Sequence, residues 1–69
     1  MTATALIAAL SAFLHLAGAA SSPLAIALRE IAAEQLKRIV LDPAGDLAQA
    51  ESVLNTIQEL YERFADQQS

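Results

Sequence analysis

Sixty-nine residues allow one small domain, and the absence of cysteine removes disulfides, thiol nucleophiles and thiolate metal sites together. With one histidine and two glycines, the chain also holds no two-histidine metal site, no dinucleotide fingerprint and no phosphate-cradling loop, each of which needs closely spaced residues of those types. The net charge of −4 divides into +1 over residues 1–41 and −5 over residues 42–69, the wrong sign for a surface that contacts DNA or RNA.

The first segment is rich in Ala and Leu, and its spacing predicts a helix over about 3–17. At 100° per residue, Leu6, Ile7, Leu10, Phe13 and Leu14 fall in an arc of about 120°, wide enough to face a core. The opposite face is small, with Thr4, Ala8, Ser11, Ala12, His15 and Ala19, and Leu16 belongs to neither set. No charged side chain precedes Arg29, so a targeting or membrane role has to be weighed. The run from Ala5 to Leu16 has the length of a signal-peptide core, yet no Lys or Arg stands before it. As a membrane span it is interrupted by Thr4, Ser11, His15 and Gly18 and stopped by Ser21-Ser22-Pro23. A retained helix, buried in a bundle or at a subunit interface of a cytoplasmic protein, is the better reading.

The first break runs from Gly18 to Pro23. Gly18 suits the left-handed conformation that often closes a helix, Ser22 suits an N-cap, and Pro23 suits a first turn, where its missing N–H costs nothing. A second helix is predicted over about 23–41, with Leu24, Leu28, Ile31, Ala32, Leu36 and Ile39 inward and Arg29, Glu30, Glu34, Lys37 and Arg38 outward. The second break is Leu41-Asp42-Pro43-Ala44-Gly45-Asp46. Pro43 ends the helix, Gly45 permits the turn, and Asp46 with Gln49 three residues later has the spacing of a capping box. The third helix is predicted over about 47–66. Leu47, Ala50, Leu54, Ile57, Tyr61 and Phe64 recur at steps of three and four, a narrow seam with polar residues around it. A loop of about five residues makes the second and third helices an antiparallel hairpin.

The polar residues offer little chemistry. Ser11 or Ser22, His15 and Asp42 can be written as a triad, but a strained nucleophile turn and a shaped pocket are foreign to so short a helical chain. His15 stands one turn before Gly18, where its ring suits the last free carbonyls and the negative end of the helix dipole better than a pH sensor or ligand. Glu30 and Glu34, followed by Lys37 and Arg38, read as a solvated face with i,i+4 pairs rather than as an acid–base couple.

The expectation is an all-α chain, a single domain over residues 1–69, packed as a homodimer. Oligomerisation is the remaining means of covering a composition that is 55% hydrophobic and only 17% charged. Core or self-association is assigned to Leu6, Leu10, Phe13, Leu14, Leu47, Leu54, Ile57, Tyr61 and Phe64. Partner binding is assigned to the acidic face of the third helix, Glu51, Glu59, Glu62 and Asp66, offset by Arg63 alone. No enzyme activity, cofactor or metal is expected. The function read from this is a protein-binding module that modulates a larger protein with a basic surface, such as a DNA-binding regulator or an ATPase. The alternatives are a membrane-associated protein using residues 1–28 and a structural assembly subunit.

Overall fold

A computed structural model describes residues 1–64. They form three helices and no strand: α1 (Ala3–Ala17), α2 (Pro23–Leu41) and α3 (Leu47–Phe64). The two positions by which the expected third helix runs past Phe64 lie outside the described residues.

Each helix begins where a side-chain oxygen accepts an otherwise unpaired backbone N–H. Thr2 Oγ1 accepts from Ala5 N at 3.1 Å, Ser22 Oγ from Ala25 N at 3.2 Å, and Asp46 Oδ1 from Gln49 N at 3.0 Å. Thr2 is the N-cap of α1, with the same chemistry as the other two.

The helix ends are closed differently from the expectation. Gly18 is right-handed, at φ −65° and ψ −27°, and its N–H bonds the carbonyl of His15 at 3.4 Å, a tightened last turn rather than a left-handed cap. The ring of His15 is exposed, and the donor that reaches this end of α1 is Arg29, whose Nη1 meets the carbonyl oxygen of Gly18 at 3.1 Å. Gly45 also has no positive φ; its need is for space, since a Cβ there would stand 2.9 Å from Asp42 Oδ2 and 3.2 Å from the Asp42 carbonyl oxygen.

Contacts advance together along α1 and α3. The ammonium of Met1 meets Glu51, and Phe13 meets Tyr61, so these two helices run parallel and α2 returns antiparallel to both. One core cluster joins all three: Leu6, Leu10, Phe13 and Ala17 from α1, Leu28, Ala32 and Ile39 from α2, Ala50, Leu54 and Ile57 from α3. Phe13 and Tyr61 pack edge to face, ring centres 5.6 Å apart and planes at 82°.

The most extensive contact is between α1 and α2, and it decides how α2 is turned. Ala25 and Ala32 are buried, while Ile31, expected inward, is 42% exposed. With Ala25, Leu28, Ala32 and Ile39 buried, Ile31 falls on the side of α2 away from the core.

Candidate functional site

The side chains assigned to core or self-association divide by depth. Leu6, Leu10, Phe13, Leu54 and Ile57 are enclosed by their own chain, and Leu14, Leu47 and Tyr61 pack half-buried against that core. Phe64 is half-buried at the last described position. The surface available to a partner therefore lies elsewhere, on residues that three packed helices leave open.

That surface is apolar on α1 and α2. Leu16 is 62% exposed, Val40 60% and Leu41 74%, with Ile26, Ile31 and Met1 also open to solvent. Leu16 borders a shallow groove of about 190 Å³ between α1 and α3, lined by Ala9, Ala12 and Phe13 on one side and Gln58, Tyr61 and Glu62 on the other. A second open groove, about 340 Å³, lies where α2 turns into α3, between Arg38, Ile39 and Leu41 on one side and Asp46, Leu47 and Ala50 on the other.

The outer face of α3 is polar. Glu59 and Glu62 are exposed and Glu51 half-exposed, so three of the four carboxylates assigned to partner binding do reach solvent. Asp66 lies outside the described residues. Two of the three are already engaged. Glu51 Oε2 stands 3.3 Å from the Met1 ammonium and Glu59 Oε1 3.2 Å from Arg63 Nη2. The terminal ammonium is thus an offset that counting side chains omits, and Glu62 is the one of the three left without an ion pair among the described residues. On α2, Glu34 pairs with Arg38 at 3.3 Å, the i,i+4 contact expected of a solvated face.

No buried polar side-chain atom among the described residues lacks a hydrogen-bond partner, and no three His, Asp or Glu side chains there stand together as metal ligands. His15 and Asp42 lie at opposite ends of the bundle, since one follows α1 to its last turn and the other ends α2; the triad that can be written on paper is not assembled. No described helix is both long and apolar enough to cross a membrane.

Comparison with protein-family models, with curated proteins and with solved structures finds no match to this chain.

Proposed function

We propose that this chain is a non-catalytic interaction module, a homodimer that binds a larger protein and modulates it as an adaptor, anti-activator or inhibitor does. The observation that carries the reading is the division of the surface: exposed Leu16, Ile26, Ile31, Val40 and Leu41 on α1 and α2, and an acidic, otherwise polar α3. Scattered apolar side chains are ordinary on a protein surface, but five large ones open to solvent on two helices of so short a chain are a high proportion. The apolar part serves association. The acidic part favours a partner with a basic surface, such as the DNA-contacting face of a regulator or the nucleotide-handling face of an ATPase, because opposite charge speeds encounter and suppresses wrong partners.

The experiment is affinity capture from the source cells with mass spectrometry, repeated with Glu59→Lys and Glu62→Lys in one chain. These positions spare Glu51 and so leave the Met1 contact intact. The captured partner should bind the double variant several-fold more weakly at low salt, and the difference should shrink as salt screens it. Undiminished capture by the double variant would remove α3 from the binding site.

A further inference from the structure

One stripe of α2 has the repeat of a helix that lies along another helix, and its own chain leaves it uncovered. Ile26, Ala33 and Val40 stand seven residues apart and all three are exposed, Ile26 at 42% and Val40 at 60%. At 100° per residue they lie within an arc of about 40°, roughly a quarter-turn or more from the buried set Ala25, Leu28, Ala32 and Ile39. Strict sevenfold spacing is what keeps one face of a helix against a partner over several turns. Half-buried Leu36 and Arg29 border the stripe on one flank, Glu30 and Lys37 on the other.

We propose that a second copy of this chain covers the stripe, with α2 paired antiparallel to α2 of the other copy about a two-fold axis at Ala33. This rests on the homodimer proposed above and places its seam. The reason is that the stripe reads the same from both ends. Ala33 is seven residues from Ile26 and seven from Val40, so alignment on Ala33 sets Ile26 of each copy beside Val40 of the other. A two-fold interface requires such self-complementarity; a patch meant for an unrelated protein does not. Ala33 at the axis lets the helices close towards the short end of the usual 8–10 Å spacing.

The charges fit the same operation. Among the described residues Glu30 and Lys37 take part in no ion pair, whereas the neighbouring Glu34 and Arg38 satisfy each other at 3.3 Å. In an antiparallel two-fold pair the same flank of each helix meets its equivalent. Glu30 then lies about 1.5 Å along the axis from the level of Lys37 in the other copy, and symmetry forms that pair twice. On the other flank Arg29 meets the apolar Leu36 of the second copy, so like charges remain apart. A parallel two-fold pair would instead set unlike flanks together, with Glu30 beside an Arg29 already bonded to the Gly18 carbonyl and Lys37 beside the apolar Leu36, so the antiparallel arrangement is the one that gives both unpartnered charges a partner. Two heptads make a small seam, smaller than the roughly 800 Å² per partner of a standard interface, so association is of micromolar order or weaker.

Sedimentation velocity of the full chain over a wide concentration range tests the seam. Ala33→Arg, at an exposed helical position, should keep the circular dichroism of the parent and weaken dimerisation by at least about tenfold, since it sets two cations at the axis. Glu30→Lys and Lys37→Glu should each weaken it, and the two together should restore it, because the swapped pair has the same geometry. Cross-linking fixes the direction in this cysteine-free chain. A mixture of Ile26→Cys and Val40→Cys chains should oxidise to the mixed disulfide faster than to either like pair. A parent that dimerises, together with an Ala33→Arg variant that dimerises equally well and cysteine variants that form no mixed disulfide, overturns the α2 seam while leaving the homodimer standing. A parent that stays monomeric at every concentration overturns both.

Discussion

Leu54 and Ile57 show what a single side chain decides in this chain. Both are almost fully enclosed, at 1% and 2% exposure, and each touches a core built from three helices. Leu54→Ala or Ile57→Ala removes the transfer free energy of the lost methyl groups and leaves a cavity, so each should cost about 2–5 kcal/mol. Leu41, 74% exposed, is the contrast: Leu41→Ala should stay within about 0.5 kcal/mol of the parent. Urea unfolding followed by far-ultraviolet circular dichroism at low protein concentration checks all three. Arg29 is a subtler case. Its hydrogen bond to the Gly18 carbonyl ties the second helix to the end of the first, and Arg29→Met should cost about 1 kcal/mol in the same measurement, while His15→Ala should cost little. Reversal of that order would return the capping of α1 to His15.

At the scale of the element, α1 is a fifteen-residue helix without a charged side chain, and α3 is its opposite, an apolar seam under an acidic exterior. Leu6, Leu10, Phe13 and Ala17 spend most of the bulk of α1 inside the bundle, leaving Ala5, Ala8, Ala12 and Leu16 outward. One exposed Leu among alanines offers little for insertion into a lipid surface, and α1 itself carries no Lys or Arg to hold an anionic headgroup. Cosedimentation with anionic phospholipid vesicles should therefore leave the chain in the supernatant; recovery in the pellet would favour a membrane-associated role for residues 1–28. The outward face of α2 differs in kind, because its apolar positions recur at seven and its charges are ordered about Ala33. That order is what makes α2, rather than the small-residue face of α1, the seam proposed for self-association.

For the whole molecule, a single core shared by three short helices implies modest stability, and whatever binds the folded state adds to it. If two copies pair through α2, the melting temperature must rise with protein concentration, because dilution shifts the equilibrium towards the less stable monomer. The parent should melt higher as concentration is raised through the micromolar range, and Ala33→Arg should show a smaller rise over the same range. Thermal melts by circular dichroism in cells of different path length check this, and a parent insensitive to concentration would count against the dimer.

The helix boundaries were legible because their signals are local. Ser22, Pro23, Pro43 and Asp46 act on backbone groups within a few residues of themselves, so α2 begins at Pro23 and ends at Leu41 as the residues dictate. The inward face of α3 was legible for a similar reason, since Ala50, Leu54 and Ile57 lie on a stripe narrow enough to allow only one orientation. What only the tertiary structure decided is how each helix is turned and which distant groups meet. α2 carries apolar residues around much of its circumference, so periodicity admits several rotations, and the packed bundle takes the one that buries Ala25 and Ala32 and exposes Ile31. Arg29 reaching Gly18, and the Met1 ammonium reaching Glu51, join residues eleven and fifty positions apart. No spacing rule along the chain encodes such pairs; they exist because packing fixed the helix axes first and the exposed polar groups then found the nearest opposite charge or free carbonyl.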